Sequence, residues 1–429
     1  TILDTLKENT TYTLNFGNSI VDISEGNPQT SFKYVFSTGP VLDSLKIQGN
    51  VHHALSGKPM EGFLAMLYLD SDEDSVGYRT KPQYYAVTQE DGSFSIENIK
   101  DENYRLLVLD DKDFNFKITS RQEPRGFETE LINPGKDSIY HLRTFVEKNR
   151  LKFNQLKQTG VGKALVYYSA DVPDGFKITD KNENPIFIDD RNGRDTLTLF
   201  FEKGVSDTSL FYAQYADVTD TLFIRNAEFD KIEPALRAKR AVVTPSDILT
   251  LTSNKPIENF DPSYLIYVKN GDTVAAPKLT LDENGFDLVF DERPSFGDKY
   301  TVHFIPGFVS AFYQEQVDTA SVGFKTKKET DYAFHIISLT QEADQQSVIQ
   351  LLDEKNTLVF ETTVVGKKTI EVPFLEPDGY ILRVIIDDNK NGVWDTGNYL
   401  EQIQPERVLY YPEVIELRAN WEIETIWDL

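Results

Sequence analysis

The sequence predicts an all-β chain, a tandem array of small β-sandwich modules. Three observations carry that reading. Apolar and polar residues alternate over short runs such as Phe32-Lys33-Tyr34-Val35-Phe36, the period of a half-buried strand. Gly, Pro, Asn and Asp break those runs every 8 to 12 residues or so, a spacing typical of sandwich strands. The sequence also repeats itself. Tyr12-Thr13-Leu14-Asn15-Phe16 returns as Tyr300-Thr301-Val302-His303-Phe304. Each copy leads to a Phe-x-Thr phrase, Phe36-Ser37-Thr38 and Phe324-Lys325-Thr326, and 36 − 12 and 324 − 300 are both 24. A second phrase, Tyr104-Arg105-Leu106-Leu107-Val108-Leu109, matches Tyr380-Ile381-Leu382-Arg383-Val384-Ile385, and both run into an Asp/Asn-rich loop. The order is therefore A–B … A–B, which points to a scaffold or binding array rather than one catalytic core.

Taken in order, residues 1–39 read as the C-terminal strands of a first A module. Residues 40–145 form the first B module. It opens on the strand Ile47-Gln48-Gly49-Asn50-Val51, turns at residues 57–62, and carries an Asp91-Gly92 hairpin before Phe94. Residues 146–240 form a middle β-sandwich with three related phrases, Asp195-Thr196, Asp207-Thr208 and Asp220-Thr221, whose aspartates bond turn amides at strand starts. The one longer helix is expected over 228–240, weakened by Pro234. Residues 241–327 form a complete A module, and 328–429 a divergent second B module. With Tyr104 set on Tyr380, Phe94, Ile96 and Ile99 fall on Ile370, Val372 and Leu375.

Composition narrows the function. A length of 429 residues allows about three to five domains. Hydrophobic residues at 40% and aromatics at 12% argue for packed cores over disorder. A formal charge of −25, with one compact basic run at Arg237-Ala238-Lys239-Arg240, excludes nucleic acid as the natural partner. The absence of cysteine removes disulfides and thiol chemistry. No apolar run approaches the roughly 18 residues of a membrane span. The chain opens on Thr1-Ile2-Leu3, so a fragment is expected, its signal peptide or lipid-anchor cysteine lying upstream.

Gly49-Asn50-Val51, Ser56-Gly57-Lys58-Pro59-Met60, Thr88 through Phe94, and Asn103-Tyr104-Arg105-Leu106 resemble the carboxypeptidase regulatory-like, or transthyretin-like, family over roughly sixty residues, with Asn103 where Gly is usual. The A modules look like bacterial Ig-like domains. With Gln404-Pro405-Glu406 and Ala419-Asn420-Trp421, the whole chain is similar to Ig-like-domain lipoproteins of the Bacteroidota outer membrane. The resemblance implies an exported, outer-membrane-associated protein on the periplasmic or surface side. It implies a non-enzymatic scaffold or adaptor with a protein partner in the envelope. Alternatives are a carbohydrate-binding or adhesin-type surface module, and the accessory domains of a larger enzyme. Alternating modules are expected to form a rod.

The best chemical candidate is the loop after the second phrase. Asp387, Asn389, Asn391 and Gly392 fit the opening of a calcium loop, and Asp395 takes its ninth position. The twelfth position is Asn398 rather than Glu, with Glu401 nearby. The competing reading is a turn whose side chains bond its own backbone. The first-copy equivalent, Asp111, Asp113 and Asn115, has Phe116 in place of the Gly. Asp70, Asp72 and Asp74 read as a solvated acidic loop. His52, His53, His141, His303 and His335 are scattered and form no metal-binding or catalytic pattern. Tyr84, Tyr85, Tyr212, Tyr215, Tyr410, Tyr411, Trp421 and Trp427 are candidates for a protein or glycan contact face, set against ordinary core packing. The second copy, with its Gly-containing loop, is where a site is expected.

Overall fold

The computed structural model describes the chain except residues 1–4, 17–18, 26, 28–31, 70–74, 137–138, 149–150, 170–175, 185, 192–195, 203–207, 216–217, 226 and 231. The chain is all-β, an array of small two- to five-stranded sheets. Both sequence repeats are repeats of strand register. Thr11–Asn15 pairs with Lys33–Ser37 so that Tyr12 lies opposite Phe36. Lys299–Phe304 pairs with Ala320–Thr326 so that Tyr300 lies opposite Phe324. The shared spacing of 24 is thus one antiparallel ladder used twice.

The two B modules share a topology. In the first, Leu45–His53 lies between Ser93–Ile99, antiparallel, and Ile139–Thr144, parallel. In the second, Ala333–Thr340 lies between Lys368–Leu375 and Glu422–Asp428 with the same two senses. The facing sheets also agree. The first runs Tyr84–Val87, Leu64–Leu69, Tyr104–Leu109, Arg125–Phe127, and the second Leu358–Val365, Gln346–Asp353, Gly379–Ile386, Val408–Tyr410. Strand alternation sends Phe94, Ile96, Ile99, Tyr104 and Leu106 into one core and Ile370, Val372, Leu375, Tyr380 and Leu382 into the other. The tyrosines lock their strands alike, Tyr104 Oη donating to Lys100 O (3.0 Å) and Tyr380 Oη to Glu376 O (2.8 Å).

Two motif glycines have physical reasons. A Cβ on Gly49 would lie 2.0 Å from Tyr140 O, where the parallel strand passes. Gly92 has φ +77°, and its Cβ would lie 2.4 Å from Val51 O, so the Asp91-Gly92 turn admits no side chain.

The middle segment packs the sheet containing Lys163–Tyr168 and Thr196–Phe200 on the sheet containing Thr208–Tyr215 and Val218–Arg225. Thr196 and Thr208 do open strands, while Asp195 and Asp207 lie outside the described residues. Asp220 sits inside its strand and accepts from Tyr215 Oη at 2.8 Å. The following segment is a sandwich whose five- and four-stranded sheets share Leu251, Tyr267, Leu288, Phe290, Tyr300, Val302 and Phe324.

Two expectations need correction. Residues 228–240 are not helical where they are described. Pro234 lacks the N–H a helix interior needs, and Leu236–Ala238 instead joins Thr250–Ser253 in the next sheet. The α-helix among the described residues is a single turn, Val76–Arg79. The array is also not an open rod, because the second B module returns to the first.

Candidate functional site

The structure brings Asp387, Asn389, Asn391 and Asp395 together in one loop, and every side-chain oxygen of the four is already an acceptor. Asp387 Oδ1 accepts from Asn391 N (3.1 Å), and Oδ2 from Gly392 N (2.8 Å) and Gln346 Nε2 (2.7 Å). Asn389 Oδ1 accepts from Asn391 N (3.1 Å) and Asn391 Oδ1 from Val393 N (2.9 Å). Both amide groups turn their nitrogens inward to Asp395 Oδ2, at 2.6 and 2.5 Å. Lys148, just past the end of the first B module, holds Asp395 Oδ1 at 2.8 Å. A Ca²⁺ ion, which takes six to eight oxygens, would need both amides turned over and Lys148 displaced. No cluster of three or more His, Asp or Glu side chains suited to a metal exists among the described residues.

The carboxylate that enters the loop is Glu406, which sequence reasoning missed. It is buried. Its Oε1 accepts from Asp388 N (3.0 Å) and its Oε2 from Asp395 N (2.9 Å). Burial raises its pKa, and Asp387 and Asp395 push the same way, against the two amides. For Asp395, burial works upward, but Lys148, Asn389 and Asn391 outweigh it and leave the carboxyl below its ordinary value.

The first-copy loop makes the same turn without glycine. Asp111 accepts from Asn115 N (3.3 Å) and Phe116 N (2.7 Å), and Asn115 Oδ1 from Lys117 N (2.6 Å). Phe116 sits at φ +63° where Gly392 has φ +81°. The turn therefore belongs to the fold rather than to the Gly motif. Asp70, Asp72 and Asp74 lie outside the described residues.

The second-copy loop is a clasp on the first B module. Its continuation carries Tyr399, 3% exposed, into a core with Leu64, Leu107, Leu109, Phe127 and Phe145. The Tyr399 ring meets Phe127 edge-on at 5.4 Å, and its backbone N donates to Glu147 Oε1 at 3.0 Å. Glu147 in turn lies 3.5 Å from Arg125 Nη1, and both side chains are buried. The Arg125 guanidinium also donates to Tyr78 Oη (3.0 Å), Glu123 O (3.0 Å) and Ser120 O. Thr396 Oγ1 donates to Val146 O and Gln404 Nε2 to Phe127 O, both at 2.7 Å. A second contact point is Tyr410, whose Oη donates to Leu55 O at 2.6 Å.

Neighbouring modules are joined as well. Phe200, Phe286 and Phe312 form a cluster between the middle and the following segment. Arg191 reaches across to Thr252 Oγ1 (2.6 Å) and Asp287 (3.3 Å). Phe296 meets Phe374 edge-on at 5.5 Å at the next junction.

The candidate rings do not form one face. Tyr410 belongs to the clasp, Tyr411 packs edge-on with Trp427, Tyr215 with Phe153, and Tyr84 with Tyr104. Tyr212 is half-buried. Tyr85 and Trp421 are exposed, on different modules. Trp421 precedes the strand Glu422–Asp428 and lies against Arg418. His53 accepts from Ser56 N, His141 bonds Asn50, His303 bonds Ser321 and His335 is buried.

No family model matches the sequence, and no curated protein does. Solved structures show a weak likeness. The N-terminal part of the bacterial S-layer protein SbsC shares 13% identity at a TM-score of 0.23, over 42% of this chain and 44% of that one. The chain thus spans less than half of that structure. The major pilin subunit of Bacillus cereus shares 9% identity at 0.18, over 90% of this chain and 99% of that one. SGBP-B of the Bacteroides ovatus mixed-linkage glucan utilization locus, in complex with a mixed-linkage heptasaccharide, shares 11% at 0.23, over 86% of this chain and 93% of that one. No helix among the described residues is long and apolar enough to cross a membrane.

Proposed function

We propose that this chain is a non-enzymatic scaffold or adaptor of the cell envelope. It is exported, associated with the outer membrane, and presents its β modules to a protein partner. We read it as five modules, 1–39, 40–145, 146–240, 241–327 and 328–429. The observation that carries the reading is the clasp, in which Tyr399 of the second B module is buried in the core of the first. Two modules separated in sequence by some 180 residues (145 to 328) are held at one separation and one angle. Sheet edges such as Leu358–Val365 are then fixed in space, and an open edge is a natural docking element. In the same proposal, residues 387–395 are a structural turn that shapes the clasp rather than a cation site.

The test is capture from cell-envelope fractions with the wild-type chain and Tyr399→Ala. Small-angle scattering and circular dichroism check that the variant opens while its modules stay folded. The expected result is one partner retained by the wild type and lost from the opened variant. Equal capture by both overturns the requirement for fixed geometry.

A further inference from the structure

We propose that the first B module holds a cleft that binds a neutral oligosaccharide. The cleft lies on the outward face of the sheet Ser93–Ile99, Leu45–His53, Ile139–Thr144. Its volume of about 1090 Å³ exceeds the roughly 300–1,000 Å³ of ordinary small-molecule sites, which suits a ligand of several rings. The opposite wall is the N-terminal hairpin. Thr11 Oγ1 accepts from Asp43 N at 2.9 Å, and Lys33 meets Glu97 at 3.2 Å.

Register builds the floor. Ser95 lies opposite Gln48 and Gln48 opposite Ile139, while Ser93 lies opposite Asn50 and Asn50 opposite His141. Because Ile47, Val51, Phe94 and Ile96 take the inward positions, these alternate residues face out. The second B module shows that the fold does not demand this strip. The same register positions there are Glu371, Ile336 and Glu424, then Thr369, Ser338 and Ile426. The strip of the first copy holds Ser95 and Ile139 where the second copy holds the acids Glu371 and Glu424, and the amides of Gln48 and Asn50 are particular to the first copy.

Those groups suit sugar hydroxyls, each of which donates and accepts. Among the described residues, nothing hydrogen-bonds the side chains of Gln48, Gln83 or Ser95. His141 Nδ1–H donates to Asn50 Oδ1 at 2.8 Å, which orients the amide N–H groups of Asn50. The Tyr85 ring is not part of this strip: Tyr84 and Ala86 turn to the core, and Tyr85, opposite Met66, lies on the far face of the other sheet against Phe116 at 4.9 Å. Charge favours a neutral ligand. Lys33 is paired with Glu97, and a chain of net charge −25 repels acidic glycans.

The experiment uses the full chain on an array of neutral and uronic-acid oligosaccharides, followed by calorimetry on the tightest binder. Gln48→Ala, Asn50→Ala and, as controls away from the strip, Tyr85→Ala and Trp421→Ala are measured in parallel, with melting curves to confirm folding. A neutral oligosaccharide is expected to bind, with affinity falling about tenfold in Gln48→Ala or Asn50→Ala and unchanged in Tyr85→Ala and Trp421→Ala. No neutral binder, a preference for uronates, wild-type affinity in both Gln48→Ala and Asn50→Ala, or selection of an extended peptide in place of sugar would each overturn the proposal. The cleft is independent of the clasp, so Tyr399→Ala should bind the same sugar even where it loses its protein partner.

Discussion

The second B module carries a buried histidine where the first carries an isoleucine, and this makes its stability depend on pH. Ile47 pairs with Ile96 in the first copy and His335 with Val372 in the second, and Ile96 and Val372 are themselves equivalent. His335 is 0% exposed, its Nε2 lies 2.9 Å from Thr425 Oγ1, and its Nδ1 has no hydrogen-bond partner. Burial pushes its pKa from 6.5 down to about 4, because the charged ring loses its hydration. The sign follows from proton uptake. Below pH 6.5 the unfolded chain binds a proton at this ring, and the native state does not until about pH 4. Stability therefore falls as pH drops through that window and levels off beneath it. Two and a half pH units at about 1.36 kcal/mol each give a loss of about 3 kcal/mol. His335→Ile, the residue of the other copy, removes this dependence. Trp394, Trp421 and Trp427 all lie in this module, so urea titrations followed by tryptophan fluorescence report on it. Between pH 7 and pH 4 the stability gap between variant and wild type should move by about 3 kcal/mol in the variant's favour. A constant gap, or an NMR titration of the His335 ring near 6.5, would refute the reasoning.

Three further expectations follow from the geometry. Glu147→Ala leaves the Arg125 charge buried with neutral partners only, and denaturant midpoints should report a loss of about 3–5 kcal/mol. Gly92→Ala should cost well over 1 kcal/mol or so, because strain at positive φ adds to a 2.4 Å approach to Val51 O; Gly271→Ala, at φ +96° with open space around it, should cost only about 1 kcal/mol. Calorimetric melting of the wild type should give the same midpoint with Ca²⁺ and with chelator. A rise with Ca²⁺ would restore the cation reading of Asp387, Asn389, Asn391 and Asp395, since a ligand of the native state alone must stabilise it.

What was legible in the sequence was whatever local periodicity and internal repetition encode. Tyr12 and Phe36 could be matched to Tyr300 and Phe324 because a ladder preserves spacing. Phe94, Ile96 and Ile99 could be matched to their partners because strand alternation fixes which face they take. The acidic loop was found as well, since its Asx bonds reach only two to five residues along the chain. The role of that loop was not legible, because it depends on contacts from far away in sequence. Lys148 on Asp395, Glu147 on Tyr399 N and Leu55 O on Tyr410 leave no periodic trace. The one available signal was compositional, a tyrosine in a polar loop three residues after Thr396. The same cause explains the expected rod. A tandem repeat specifies modules and their neighbours, whereas the return of the last module to an earlier one is decided by a few side chains outside both repeats. The cleft fell to the same limit. Sequence comparison favoured the second copy because it holds the glycine, yet the first copy holds neutral side chains at positions where the second holds acids, and that contrast appears only once strand register is known.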